Sequence, residues 1–167
     1  MRFLFALSLL FVAAASGADT LQGVVIVVID GDTVLFKPDS WRPASRAFLK
    51  VRLAGIDAPE KDQPHGGTAT RALKDMALKR RATLDVVATD GYGRKLGMLM
   101  VESVPVNVEL VRRGHAWSSS RSADDPARML QREARRMRIG LWQAADPVPP
   151  WKWRRAHAAG MNGTLSR

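Results

Sequence analysis

Residues 23–29, GVVIVVI, form an almost unbroken β-branched run, and Asp30-Gly31 separates it from a second run, Asp32-Thr33-Val34-Leu35-Phe36. β-Branched side chains crowd the turns of a helix but pack well on a pleated surface, so both runs are expected as strands. Asp-Gly between them is the turn chemistry of a tight hairpin. The chain is thereby committed to an antiparallel β framework before its midpoint.

A polar, proline-punctuated loop, KPDSWRPASR, leads into a third strand expected over 48–56. There Leu49, Val51 and Leu53 share one face, while Lys50 and Arg52 point from the other. Ala69, Leu73, Met76 and Ala77 recur at helical spacing and predict a helix over 68–79. Strands four and five are expected over 83–89 and 95–101, joined by the turn Asp90-Gly91-Tyr92-Gly93. Asn107 reads as the N-cap of a short helix stopped by Gly114. A last helix over 126–138 is expected to turn Met129, Leu130, Ala134 and Met137 inward and its arginines to solvent. The sum is a β-rich α+β chain, a five-stranded Greek-key barrel of the oligonucleotide/oligosaccharide-binding type with three α-helices. Topology of this kind carries no function by itself.

The ends of the chain differ from its middle. Residues 1–18, MRFLFALSLLFVAAASGA, have the layout of a secretory signal peptide cleaved near Ala18. Its apolar core is shorter than the roughly 20 residues of a membrane-spanning helix. Residues 19–155 are expected as one domain and 156–167 as a loose tail. The expected location is secreted or periplasmic, with no stable membrane association after signal removal and a monomeric state. Cysteine is absent, so no disulfide framework supports the fold. The net charge of +10 beside an ordinary hydrophobic content of 46% points to a polyanionic partner.

If the second and third strands are antiparallel neighbours, Asp32 and Asp57 converge on one small space. Carboxylates so placed repel unless a cation lies between them, and oxygen donors suit Ca²⁺. An EF-hand does not account for them, because Val34 stands where a ligand belongs and Leu35 where the turning glycine belongs. Cysteine/histidine metal sites are excluded by composition, since His65, His115 and His157 are scattered along the chain and read as ordinary surface residues. Arg52 and Asp57 equally fit a structural ion pair, and Asp30 and Asp90 fit turn-capping roles.

Three charged blocks occur in order: VIDGDTV at 28–34, RLAGIDAPE at 52–60 and TDGYGR at 89–94. With ELVRRGHAW, EARRMRIGLW and PPWKWRR further on, the chain resembles the staphylococcal nuclease family, and the last blocks resemble its secreted bacterial members. The resemblance implies carboxylate Ca²⁺ ligands at Asp32 and Asp57 and a backbone-carbonyl ligand at Ala58. It implies a water-positioning general base at Glu60 and phosphodiester-holding guanidinium groups at Arg52 and Arg94. Tyr92 would touch substrate phosphate or merely pack. The implied reaction is Ca²⁺-dependent hydrolysis of DNA and RNA at the P–O5′ bond, leaving 3′-phosphate ends. Gly91 and Ser120 depart from the family's nucleotide-contacting lysine and tyrosine. Stacking on bases would then fall to Trp117, Trp151 or Trp153, unless these tryptophans pack internally. The alternative is a non-catalytic nucleic-acid-binding module on the same barrel, which leaves Arg52, Glu60 and Arg94 without a task.

Overall fold

Val28 stands opposite Val34 across the Asp30-Gly31 turn, so the β-branched runs pair as an antiparallel hairpin, β1 (Asp19–Val28) and β2 (Thr33–Pro38). The computed structural model describes residues 19–42, 44 and 47–164, and of 159–164 the backbone alone. The expected leader over 1–18 and the end of the expected tail lie outside the described residues. No helix among the described residues is long and apolar enough to cross a membrane.

β3 (Leu49–Leu53) adds antiparallel to β2, and β5 (Arg81–Thr89) and β6 (Lys95–Val101) follow on the other side of β1; between β3 and β5 come the two-residue β4 (Ile56–Asp57) and helix α1 (Gly66–Ala77). Parallel pairing of β3 with β6 closes β3-β2-β1-β5-β6 into the expected five-stranded barrel. Short β7 (Val104–Pro105) pairs antiparallel with the end of β6, and β8 (Trp117–Ser118) pairs with β4. Alternation does the sorting: Val34, Phe36, Val51, Leu53, Leu84 and Leu99 turn into the barrel and are buried. Leu73 of α1 and Leu110 of α2 (Val106–Arg112) join the same core. Each such side chain contributes about 1.5–3 kcal/mol by leaving water.

Three expectations change. Among the described residues four α-helices form rather than three, because α4 (Pro150–Thr164) follows α3 (Pro126–Arg136). Proline suits a helix's first turn, and the alanines at 156, 158 and 159 propagate it through the segment expected as a tail. Asn107 is not a cap: α2 begins one residue earlier, and the Asn107 amide turns into the barrel. It accepts from Leu99 N (2.9 Å) and donates to Ala54 O (2.8 Å) and Gly97 O (3.0 Å), joining the end of β3 to β6. On α3 the inward face carries Gln131 and Ala134, while Met129 and Met137 are exposed. Gln131 is drawn in because its Oε1 accepts the backbone N–H of Ser118 at 2.7 Å.

Candidate active site

Asp32 ends the β1–β2 turn and is buried, with Asp30 accepting its backbone N–H at 3.1 Å. Asp30 is thus a turn residue, as expected. The β2–β3 register sets Thr33 opposite Arg52 and so delivers the Arg52 guanidinium to the Asp32 carboxylate. Beyond β3 the chain turns at Ala54-Gly55, where Gly55 takes a φ of 77°, a conformation that favours glycine. β4 then returns with Asp57, itself buried and paired with Trp117 of β8. Arg52 donates from Nη1 to Asp32 Oδ1 at 2.8 Å and from Nη2 to Asp57 Oδ1 at 2.7 Å. Asp32 and Asp57 therefore converge as the antiparallel pairing requires, with one guanidinium between them.

Ala58 donates its N–H to Asp32 Oδ2 at 2.9 Å, fixing the backbone that leads to Glu60. Glu60 is held in turn: its N–H donates to Gln63 Oε1 at 3.1 Å, and Gln63 Nε2 donates to Val148 O at 2.6 Å. The first residue of α1, Gly66, lies so close that a Cβ there would come within 1.7 Å of Glu60 O. Across the site, Arg94 follows the β5–β6 turn. Its Nε donates to Asp90 Oδ2 at 2.8 Å, so Asp90 does more than cap its turn. Tyr92 is 89% exposed, with its ring 5.7 Å from the Arg94 guanidinium carbon.

Asp32, Arg52, Ala58, Glu60 and Arg94 line one cavity of about 390 Å³, and a further arginine lines it with them. That residue is Arg154, on α4. It donates from Nη1 to Glu60 Oε1 at 2.6 Å and Asp57 Oδ1 at 3.1 Å, and from Nη2 to Asp57 Oδ2 at 2.9 Å. Reasoning from sequence assigned it no role. Its only signal is its place within the PPWKWRR block, beside a second arginine of the same type.

Burial raises the Asp32 carboxyl to about 6 against the pull of Arg52 and the Ala58 N–H, and the neighbouring Asp30 and Asp57 charges push the same way. Burial also works against the charge of Arg52, but Asp32 and Asp57 outweigh it and hold the guanidinium above its ordinary value. Hydrogen bonding to Asp57, opposed by partial burial and reinforced by Glu60, does the same for Arg154. A buried carboxylate with acids around it gains from an added cation, and the available donors are all oxygens. No cluster of three acidic, histidine or cysteine side chains occurs among the described residues. Asp32 and Asp57 are the carboxylates that could offer oxygen to a hard ion, which takes roughly six to eight oxygen ligands in all.

Trp117, Trp151 and Trp153 do not line that cavity: Trp117 is buried and meets Trp142 and the exposed Trp151 edge-on, with ring centroids 4.3 and 5.5 Å apart. Trp153 stacks instead on His157, at 4.3 Å. Two of the histidines are not scattered in space. His65 Nε2 lies 3.0 Å from His115 Nδ1, because the start of α1 meets the end of α2.

The family model described as "Staphylococcal nuclease homologue" matches residues 50–144. The chain is 41% identical to Protein ParB of Escherichia coli, over 93% of this chain and 90% of that one. It is 32% identical to a micrococcal nuclease of Shigella flexneri, over 97% and 96% of the two chains. An uncharacterized endonuclease of Escherichia coli O157:H7 is 40% identical over 80% of this chain and 85% of its own. The barrel, the family match and these relatives, whose lengths the chain spans almost entirely, agree with one another, and the chain belongs to the staphylococcal nuclease family.

Proposed function

We propose that the protein is a Ca²⁺-dependent nuclease that hydrolyses DNA and RNA phosphodiesters. The observation that carries this reading is that Asp32, Arg52, Glu60 and Arg94 line one and the same cavity. Relatives named as a micrococcal nuclease and an uncharacterized endonuclease support the same reading.

A phosphodiester is anionic, and in-line attack by water adds charge to its equatorial oxygens. Planar guanidinium groups match those oxygens with paired hydrogen bonds, a geometry lysine cannot reproduce. Arg52 and Arg94 take this task. Glu60 accepts the proton of the attacking water; the P–O5′ bond breaks, O5′ leaves as an alkoxide that takes a proton from solvent water, and the phosphate stays on the 3′ side. Asp32, Asp57 and the Ala58 carbonyl would hold the Ca²⁺, which when bound supplies Lewis-acid stabilisation of the developing charge. Contacts made to phosphate carry no sequence information, so a broad substrate range follows. The leader-like residues 1–18 support export, secreted or periplasmic, and a monomer free of membrane is part of the proposal.

The test is cleavage of single-stranded DNA, duplex DNA and RNA with Ca²⁺ or with chelator, beside Glu60→Gln. Ca²⁺-dependent fragments bearing 3′-phosphates, lost in the variant, are expected. Tight binding without turnover in any divalent metal would reduce the protein to a nucleic-acid-binding module.

A further inference from the structure

Asp57 and Glu60 meet in one guanidinium that arrives from α4, 97 and 94 positions along the chain. Two acids this close repel each other, and a glutamate whose side chain is 35% exposed has room to leave the cavity. Arg154 opposes both tendencies. Nη1 is shared between Asp57 Oδ1 and Glu60 Oε1, and Nη2 reaches Asp57 Oδ2, so a rigid fork sets the distance between the two carboxylates.

The start of α4 is tied to both carboxylates by separate routes. Trp151 stands edge-on to Trp117, which pairs through the backbone with Asp57. Val148, just before the helix, accepts from Gln63, whose Oε1 holds the Glu60 N–H. Arg154 is therefore delivered by packing, in contrast to a long surface side chain that meets an acid by chance.

We propose that Arg154 is a positioning residue that holds Glu60 against Asp57 and competes with the divalent cation for Asp57. This rests on the nuclease reading above. Arg52 and Arg154 together occupy three acceptor sites on Asp57, of about four that a carboxylate offers. A cation ligated by Asp57 has to displace part of the Arg154 fork or sit beside its charge.

Arg154→Gln and Arg154→Lys separate the possibilities. Calorimetry with Ca²⁺ alone is expected to show Arg154→Gln binding at least about fivefold tighter than the parent chain, since a competing cation is gone. On single-stranded DNA at saturating Ca²⁺, kcat is expected to fall about 10- to 100-fold with KM held within about twofold. Arg154→Lys should not restore kcat, because an ammonium cannot bridge both carboxylates in the fork geometry. Unchanged Ca²⁺ affinity and unchanged kcat would overturn the proposal. So would a raised KM at constant kcat, which would make Arg154 a phosphate contact. A parent chain that itself cleaves nothing marks the failure of the nuclease reading and ends the positioning role with it, whereas the Ca²⁺ affinities decide the competition without any turnover.

Discussion

Asp90 and Arg94 are joined three ways within one turn. Asp90 Oδ2 accepts Arg94 Nε at 2.8 Å, Oδ1 accepts the Arg94 backbone N–H at 3.0 Å, and Arg94 O accepts the Asp90 N–H at 3.0 Å. Slight burial raises the Asp90 carboxyl, but the hydrogen bonds from Arg94 and Tyr92 outweigh it and hold it below the ordinary aspartate value. The guanidinium reaches the cavity already aimed.

Asp90→Ala should accordingly reduce kcat/KM on DNA by about 10- to 100-fold while the circular dichroism spectrum stays unchanged, because misplacing a catalytic group by about 1 Å has that effect. Direct removal in Arg94→Ala or Arg52→Ala should cost on the order of 10²–10³ in kcat. Equal losses in Asp90→Ala and Arg94→Ala would mean that Arg94 contributes nothing unless Asp90 holds it, and no loss in Asp90→Ala would remove the aiming role.

Two adjacent glycines provide an internal comparison. A Cβ at Gly66 would strike Glu60 O, whereas one at Gly67 meets nothing within 4 Å. Gly66→Ala should destabilise the protein by about 1–3 kcal/mol and lower kcat through Glu60. Gly67→Ala should stabilise it by up to about 1 kcal/mol and leave kcat alone. Urea titration and steady-state kinetics on both variants check the contrast.

Asn107 is 1% exposed and serves three backbone partners. Asn107→Ala leaves Leu99 N–H and Ala54 O without it, and should cost about 2–4 kcal/mol in a denaturant titration.

The His65–His115 pair makes stability depend on pH. Burial, the charge of His65 and the nearby Arg113 lower His115 from 6.5 to about 4, and burial lowers His65 as well. The folded state therefore binds fewer protons than the unfolded one between these values. This stabilisation is complete above about pH 6.5 and is lost as the pH falls toward about 4. The Tm of the parent chain should fall faster across that window than that of His115→Leu.

Calcium is expected to raise Tm, with a stabilisation of about 2.7 kcal/mol at a concentration 100 times Kd. Asp57→Asn should abolish the rise, and chelator should reverse it. A calcium effect that survives Asp57→Asn would place the ion elsewhere.

The strands and the acid-bearing turn were legible in the sequence because their signals are local. A β-branched run, an Asp-Gly pair and a period of two in Leu49, Val51 and Leu53 need no knowledge of the rest of the chain. The blocks pointed to Asp32, Asp57, Glu60, Arg52 and Arg94; the structure sets four of them around one cavity, with Asp57 bonded to Arg52 beside it. Arg154 was not, because nothing local separates it from Arg155 and its partners lie 94 and 97 residues away. Asn107 misled for the reverse reason: a polar residue before a short helix reads as a cap, and only the barrel reveals the three groups it serves. The histidine pair likewise exists only after α1 and α2 have packed.

β3 carries Arg52 at the position facing Thr33 on one side and Leu96 on the other, and its pairing with β6 is the parallel joint that shuts the barrel. The joint and the floor of the cavity are therefore one strand. Val51 and Leu53 of that strand are buried in the core, so β3 opens only with the barrel, and Arg52 leaves Asp32 and Asp57 when it does. Loss of the Arg52 contacts and loss of the fold are therefore expected as one event, so the cavity lasts as long as the barrel does.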